Sequence, residues 1–177
     1  MTLLCQADRM EPLSRISNLA GQFVVRRAVA NDVAAIVALI AADQIGQERD
    51  GGDLAPYMEA FSMIDANPAQ LLVVVADAPG AVVGTLQLTF IPGLARRGAL
   101  RAQIEAVRVS QRLRGQGIGA ELLAWAIQEA HRRGCALVQL TSDKRREDAH
   151  RLYGRLGFVA SHEGFKLRLG GPATELS

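Results

Sequence analysis

Apolar and polar residues alternate along the chain in two rhythms, which predict strands and helices. Continuous apolar runs bounded by turn residues are typical of buried strands, and apolar residues spaced three or four apart are typical of amphipathic helices. The runs predict strands over residues 23–29, 71–76, 81–91, 100–109, 135–141, 158–160 and 165–169. The helical spacing predicts helices that begin at Asn31 or Asp32, at Pro56, after Gly117 and at Glu147.

The order of these elements predicts an α/β fold with a central mixed, twisted sheet. The turn Asp77–Gly80 separates two apolar runs and predicts a hairpin, so the early strands are expected to be antiparallel. A strand, a helix and another strand follow, as in a crossover connection. We therefore expect helices on both faces of the sheet.

The length of 177 residues fits one domain. Residues 1–21 lack sustained periodicity and are expected to form a flexible N-terminal extension. Residues 22–170 are expected to form the single domain, and residues 171–177 a C-terminal tail. The pattern leaves the oligomeric state open, with a homodimer as one alternative because dimers are common among such folds.

The composition argues against several classes of protein. Apolar residues make up 49% of the chain and charged residues 21%, a balance typical of a globular domain. No apolar run approaches the length of about 18 residues that spans a membrane, and no secretory signal is evident, so we expect a cytoplasmic protein without a membrane partner. Aromatic residues make up only 5%, which argues against a nucleic-acid partner. Cys5 and Cys135 predict no disulfide, Cys135 is expected to be a buried free thiol, and no residue pattern requires a metal.

Charge is distributed unevenly along the chain. Residues 96–168 contain 15 Lys and Arg against 7 Asp and Glu, whereas the remainder contains 5 against 11. The basic surplus is either a solvated surface or the mark of an anionic ligand in the C-terminal half.

A glycine-rich loop joins a predicted strand to a predicted helix inside this basic region. The strand ends at Val109, and Gly115, Gly117 and Gly119 follow at alternate positions. Glycine lets the backbone take unusual angles and lets a ligand approach the main chain. The N-terminus of the following helix offers unpaired N–H groups to a phosphate, and two loop arginines add full charges.

Three alternatives compete with one another for such a loop. A nucleoside-triphosphate loop needs a Gly-Lys-Ser/Thr ending, and Gly119-Ala120-Glu121 lacks it. A dinucleotide fingerprint fits better, because Gly115, Gly117 and Ala120 satisfy G-x-G-x-x-A, but its fold needs more strand–helix repeats than remain. It stays a remote alternative, as does a tight turn without a ligand.

The flanking residues carry a closer match. Arg114, Gly117 and Gly119 follow the pattern Arg/Gln-x-x-Gly-x-Gly/Ala, and Leu152–Phe158 is close to a late Tyr-x-x-x-Gly-Phe signature. With these motifs, residues 23–169 resemble the GNAT superfamily of N-acetyltransferases. The resemblance implies the fold of that superfamily. It also implies transfer of an acetyl group from acetyl-CoA to a primary amine of a small molecule or peptide, by direct attack in a ternary complex.

The resemblance also implies where acetyl-CoA binds. The pantetheine arm is expected to pair with the main chain of Val107, Arg108 and Val109, with the Val107 N–H facing the thioester oxygen. The residues expected at the phosphates are Arg112, Arg114, Gly115, Gln116, Gly117, Ile118, Gly119 and Ala120. One position departs from the family, because Arg146 stands where many members have an asparagine seven residues before the late tyrosine. The basic run 144–146 either meets the phosphates or faces water.

Two residues are candidates for proton transfer. Tyr153 is the candidate general acid, since a phenol with a pKa near 10 stays protonated at neutral pH; the alternative is a core aromatic on its helix. Glu105 is the candidate base, because an acid within an apolar strand is costly without a partner or a task. Alternation places Glu105 opposite Arg108, and a salt-bridged surface glutamate is the alternative. His150 and His162 are weaker candidates for the base.

The acceptor is the least defined part of the site. The acidic residues Asp43, Glu48, Asp50 and Asp53 lie between the first two predicted helices, which border the acceptor cleft in the resembled family. They suit a cationic amine, although a solvated loop explains them equally well. Two classes of function follow: an N-acetyltransferase, or a non-catalytic sensor or structural module that binds acyl-CoA.

Overall fold

Six strands and four helices of more than one turn form among residues 11–18, 21–42, 51–167 and 169, which the computed structural model describes. The strands are β1 Ser14–Asn18, β2 Gly21–Arg27, β3 Gln70–Asp77, β4 Val82–Ile91, β5 Arg101–Val109 and β6 Leu137–Leu140. The helices are α1 Val33–Ala41, α2 Ala55–Ala66, α3 Ile118–Arg132 and α4 Glu147–Arg155. The chain divides into two compact units, Met1–Leu140 and Thr141–Ser177, and α4 is the helix of the second unit.

The six strands lie in one sheet in the order of the sequence. Each of the first four neighbouring pairs is antiparallel, and only β5 and β6 are parallel. The turn between β3 and β4 closes with hydrogen bonds from Gly80 N to the carbonyl oxygen of Asp77 and from Ala81 N to its side chain, both 2.8 Å long. The α/β class and the mixed sheet predicted from the sequence are confirmed.

Helices cover both faces of this sheet, as predicted. Val74 of β3 packs in a buried cluster with Val33, Ile36 and Val37 of α1 and with Phe61 of α2, which defines the α1–α2 face. Neighbouring residues of β3 point to opposite faces, and Val73, Val74 and Val75 are nevertheless all 0% exposed. Both faces of this strand are therefore buried.

Helix α3 covers the opposite face, which we call the α3 face. Its apolar side buries Leu122, Leu123 and Ala126 completely. The guanidinium of Arg133, directly after α3, lies 4.1 Å from the centroid of the Phe90 ring. Burial of each large aliphatic side chain contributes about 1.5–3 kcal/mol, so this face fixes the position of α3.

A buried ion pair fixes the start of α1. The guanidinium of Arg26 on β2 donates hydrogen bonds of 2.7 and 2.9 Å to the two carboxylate oxygens of Asp32. Asp32 also accepts a 2.8 Å hydrogen bond from the main-chain N–H of Val29. The bidentate pair and the third bond satisfy charges that would otherwise be costly to bury.

The structure contains one strand that the pattern did not predict. Ser14–Asn18, inside the predicted extension of residues 1–21, forms β1 at the edge of the sheet and pairs with β2. Only Ile16 of this strand is buried, so its sequence carries no alternation strong enough to recognise. Residues 1–10 and the tail 171–177 lie outside the described residues, and their predicted flexibility stays a prediction.

The last two predicted strands are wrong. Neither residues 158–160 nor the described residues of 165–169 form a strand. The side chains of Phe165, Leu167 and Leu169 are 91%, 84% and 92% exposed. Their alternation suits a strand, but an extended segment without a pairing neighbour has no ladder of hydrogen bonds to stabilise it. None of the helices in the described ranges is long and apolar enough to cross a bilayer.

Candidate active site

A β-bulge interrupts the pairing of β4 with β5. Gln87 pairs with Glu105 and Thr85 with Arg108, so two residues of β5, Ala106 and Val107, lie opposite one residue of β4. Ala106 adopts a left-handed backbone conformation, with φ of 52°. A bulge leaves one residue unpaired and bends the strand at that point. The bend lies directly before the glycine loop.

The bulge also changes which side chains share a face. Alternation predicts Glu105 and Arg108 on opposite faces, and this prediction is wrong. Their partners Gln87 and Thr85 lie two residues apart, so Glu105 and Arg108 share the α1–α2 face. Nη1 of Arg108 donates a 2.8 Å hydrogen bond to the carbonyl oxygen of Val107. This bond ties the guanidinium to the bulged main chain.

Beyond the middle of β5, pairing continues on one side only among the described strands. The parallel pairing with β6 runs from Arg101–Leu137 to Ile104–Leu140 and ends there. Residues 105–109 keep β4 as a neighbour. Such a strand edge offers main-chain donors and acceptors to an extended ligand, which is what the expected pantetheine contacts at Val107–Val109 need.

The glycine loop takes conformations that favour glycine. Gly115 and Gly117 have φ of 74° and 87°. A Cβ added to Gly115 would meet no heavy atom within 4 Å. Glycine is therefore required here for its backbone angles, and the space beside the loop is open.

The first turn of α3 begins directly after this loop and carries main-chain donors without partners inside the helix. Gly117 is the N-cap of the 15-residue helix, and its carbonyl accepts the first intrahelical bond, 3.0 Å from Glu121 N. The N–H groups of Ile118, Gly119 and Ala120 therefore have no acceptor within the helix. Together with the helix dipole they favour a negatively charged group, so this part of the loop fits a pyrophosphate.

Side chains from neighbouring elements hold the loop in place. Asn18 of β1 donates from Nδ2 to the carbonyl oxygen of Gln116 over 3.1 Å. Gln116 in turn donates from Nε2 to the carbonyl oxygen of Arg112 over 2.9 Å. The guanidinium of Arg112 pairs with Asp77 at 2.9 Å while its side chain stays 61% exposed, and Arg114 is exposed. Arg112 thus links the loop to the β3–β4 turn. The same guanidinium is expected to contact the phosphates, so both contacts would have to use it at once.

Glu105 is exposed on β5. The cost of burying a charge therefore gives no argument for its role, contrary to the reasoning from the apolar strand. What remains is its position next to the bulge, on the α1–α2 face. Its assignment as the base stays a prediction.

Tyr153 lies half-buried on α4 in the second unit. Its ring meets Phe158 edge to face, with centroids 6.0 Å apart and an interplanar angle of 67°. The N–H of Phe158 donates a 3.0 Å hydrogen bond to the carbonyl oxygen of Tyr153. The late signature thus forms a local packing unit at the end of α4, and the acid role stays a prediction. His150 is exposed, and Nδ1 of the exposed His162 lies 2.8 Å from the hydroxyl of Ser161.

The basic run before α4 is only partly available for a ligand. The guanidinium of Arg145 donates bonds of 3.0 and 2.9 Å to the carboxylate of Asp143. These bonds and the Arg145 main-chain N–H hold the pKa of Asp143 well below its usual range. Arg145 is therefore already neutralised locally. Arg146 is half-buried and occupies the N-cap position of α4.

Cys135 and the acidic loop add little to the site. Cys135 is half-buried rather than buried, and burial raises the pKa of its thiol, which keeps it protonated and a poor nucleophile. Asp53 accepts a 3.0 Å hydrogen bond from the N–H of Ala55 at the start of α2. Asp43, Glu48 and Asp50 lie outside the described residues. Within the described ranges, no group of three or more His, Cys, Asp and Glu could hold a metal ion.

One cluster of polar residues near Glu105 was missed by the sequence analysis. Gln70, Thr89, Gln103 and Gln139 pair directly across β3, β4, β5 and β6. We call these four residues the glutamine row. Each residue is a polar position in an apolar run, but only the register of the strands shows that they align.

Comparison with known proteins agrees with this geometry. The family model described as the acetyltransferase (GNAT) family matches residues 22–158. A structure from Bacillus halodurans C-125, described as a transcriptional regulator, is 42% identical with a TM-score of 0.80, over 83% of this chain and 99% of that one.

Two curated relatives match over shorter stretches. The aminoalkylphosphonate N-acetyltransferase of Salmonella typhimurium is 44% identical over 63 residues, 36% of this chain and 41% of that protein. The N-alpha-acetyltransferase MAK3 of Arabidopsis thaliana is 35% identical over 75 residues, 42% of this chain and 40% of that protein. The matches thus span about two fifths of each relative. Because the family model covers well over half of the sequence, the chain belongs to the GNAT family of acetyltransferases.

Proposed function

We propose that the chain transfers an acetyl group from acetyl-CoA to a primary amine of a small molecule or peptide, in a ternary complex without an acyl-enzyme. Both curated relatives are named N-acetyltransferases. Acetyl-CoA supplies the acetyl group as an activated thioester. The chain supplies binding, orientation and proton transfer.

The residues present fit this donor. The glycine loop leaves open space beside Gly115, and the N–H groups at the start of α3 lack intrahelical acceptors. These groups and Arg114 would hold the phosphates. The main chain of Val107, Arg108 and Val109 would pair with the pantetheine arm. The Val107 N–H would stabilise negative charge on the thioester oxygen, where such a donor typically contributes about 2.7–4 kcal/mol.

Proton transfer is assigned to two side chains. Glu105 accepts a proton from the amine, directly or through water, because only the neutral amine attacks a carbonyl. Tyr153 donates a proton to the departing thiolate. Each proton transfer of this kind typically contributes a factor of about 100 to 10,000 in rate.

The observation that carries this proposal is the bulge at Ala106–Val107, in the part of β5 beyond its pairing with β6 and shortly before the glycine-capped helix α3. The test is release of free thiol from acetyl-CoA by the full chain in the presence of a panel of primary amines. We expect release that depends on both amine and protein and that saturates in both substrates. Release at the rate of the amine-free control with every amine would contradict the proposal.

A second function is favoured by one observation. The similar structure from Bacillus halodurans is described as a transcriptional regulator, which supports a regulatory function as the second candidate. A sensor that binds acetyl-CoA without turnover would show saturable binding by calorimetry and no amine-dependent thiol release. Binding together with turnover favours the enzyme.

A further inference from the structure

The glutamine row crosses the sheet on the side that carries Glu105. Gln70 pairs with Thr89, Thr89 with Gln103, and Gln103 with Gln139, so the four side chains form one line perpendicular to the strands. Gln87 pairs with Glu105 next to this line. Residues two apart on a strand share a face, so Gln103 and Glu105 both lie on the α1–α2 face.

Hydrogen bonds order the row in two pairs. Oε1 of Gln70 accepts bonds of 2.8 Å from the hydroxyl of Thr89 and 3.0 Å from Nε2 of Gln87. Nε2 of Gln139 donates a 2.7 Å bond to Oε1 of Gln103. These bonds leave Nε2 of Gln70 and Oε1 of Gln139 without a hydrogen-bond partner among the described residues. The ordered row therefore keeps both a donor and an acceptor for a ligand.

The surroundings of the row favour a ligand over simple packing. The row residues are half-buried, whereas Leu72 and Val74 on the same face of β3 pack on the apolar cluster of α1 and α2. Arg101 lies two residues before Gln103 and buries its Nε without a hydrogen-bond partner among the described residues. A buried donor without a partner is costly, so hydrogen bonding at this end of the row is incomplete within the described residues.

The distance to Glu105 sets the size of that ligand. Two residues of a strand span about 7 Å. An extended peptide advances by the same spacing per residue, so an amine held at Glu105 would place an amide about two residues away beside Gln103. Neutral amides suit the row better than charged groups, because the four residues carry no charge.

We propose that the glutamine row binds a neutral amide of the acceptor, and that the acceptor is therefore a primary amine bearing an amide about two residue lengths away. This inference rests on the proposed function of the site. The amide belongs either to a small amino-acid amide or to the N-terminal backbone of a peptide.

The first test needs only the unmodified full chain. Thiol release from acetyl-CoA is compared for glycylglycinamide, for hexylamine as an apolar amine of similar length, and for a glycine-started hexapeptide. The α-amine of glycylglycinamide has the lower pKa and is more often neutral, so kcat/KM is expressed per concentration of neutral amine. On that scale we expect the value for glycylglycinamide to lie about tenfold above that for hexylamine, the ratio expected from one or two hydrogen bonds. Equal kcat/KM for glycylglycinamide and the hexapeptide would indicate that only the first two residues of the acceptor are bound. A higher value for the hexapeptide would indicate a peptide acceptor.

A variant then assigns this preference to the row. Gln103→Leu should raise KM for glycylglycinamide about tenfold while leaving kcat and the rate with hexylamine unchanged. Gln139→Leu should act in the same direction, so the test survives if one variant fails to fold. Gln128→Leu, an exposed glutamine of α3, is the matched control and should change neither rate.

Failure of the amide assignment and failure of the proposed function give different results. Thiol release that favours hexylamine, or a preference unchanged in both variants, overturns the amide assignment and leaves the proposed function standing. Absence of thiol release with every amine overturns the proposed function itself.

Discussion

At the scale of single residues, the proposed proton transfers are assigned to Glu105 and Tyr153. Glu105 was recognisable as an acid in an apolar run, and Tyr153 from the late signature. The exposure of Glu105 was not recognisable, because burial depends on the register of the sheet. The residue types were thus predictable, and their surroundings were not.

Replacing Tyr153 by phenylalanine tests the general acid. The ring and its contact with Phe158 are retained, so only the hydroxyl is lost. We expect kcat to fall about 100-fold with little change in the KM for acetyl-CoA, measured by steady-state thiol release across pH. Tyr57→Phe, which removes a hydroxyl that bonds Gly51 N at 2.8 Å, is the matched control. Unchanged turnover of Tyr153→Phe at every pH would exclude the acid role.

Replacing Glu105 by glutamine tests the base. We expect kcat/KM at neutral pH to fall about 100-fold or more, because the protonated amine then lacks a proton acceptor. The loss should shrink as pH approaches the pKa of the free amine, where neutral amine is already abundant. The measurement is a pH profile of kcat/KM, with Glu59→Gln on the exposed face of α2 as the control. A constant ratio of variant to parent rates across that profile would point to a role in packing or binding instead.

At the scale of elements, hydrophobic periodicity predicted the strands and helices that pack in the core. It did not predict β1, which buries only Ile16. It also predicted strands at 158–160 and 165–169, where none of the described residues forms a strand. The bulge at Ala106–Val107 was hidden for a different reason, since its presence depends on how β5 pairs with β4. Strand β5 carries the bulge of the candidate site, and it is therefore the strand whose side-chain directions simple alternation predicts least well.

Replacing Gly117 by alanine tests the glycine loop. At φ of 87°, a Cβ is strained, so we expect the free energy of unfolding to fall by about 1 kcal/mol. We also expect the Kd for acetyl-CoA to rise, because the N–H groups of the first turn of α3 shift. Chemical denaturation and calorimetric titration measure the two effects.

Gly154→Ala is the control for this change. Gly154 lies inside α4, and a Cβ there would meet no heavy atom within 4 Å. Alanine is the better helix former, so this variant should be neutral or up to about 1 kcal/mol more stable. Equal effects of the two substitutions on acetyl-CoA binding would contradict the role of the loop.

At the scale of the whole molecule, ion pairs engage several of the basic side chains. The basic surplus of residues 96–168 includes Arg112, Arg132, Arg133 and Arg145, which all pair with carboxylates. Composition alone left a solvated surface and an anionic ligand as equal alternatives. Glu129 and Asp143 are already counted among the seven acids of this range, so of these pairs only that of Arg112 with Asp77 draws on a carboxylate outside it. Ion pairs therefore leave most of the surplus in place, and the glycine loop retains Arg114.

The carboxylate of Glu129 on α3 should make stability depend on pH. Partial burial raises its pKa, but bonds from Arg132 and Arg133, each 2.7 Å at the closest atoms, outweigh burial and lower the pKa below its usual value. A depressed folded-state pKa stabilises the fold above the unfolded-state pKa of about 4.3, and the contribution is lost as pH falls through the folded-state value. Glu129→Gln should therefore cost about 1 kcal/mol at pH 7 and progressively less below about pH 4. Urea denaturation at several pH values measures this difference, and a deficit that does not narrow in acid would contradict the assignment.

The central claim is that this chain moves an acetyl group from acetyl-CoA onto an amine. The most direct measurement follows acetyl-CoA labelled with 13C in the acetyl carbonyl by carbon NMR, during incubation with the full chain and each amine of the thiol-release panel in turn. We expect an amide signal to replace the thioester signal with at least one amine, in proportion to the thiol released. A label that stays in the thioester, or that appears as free acetate, with every amine would contradict this claim.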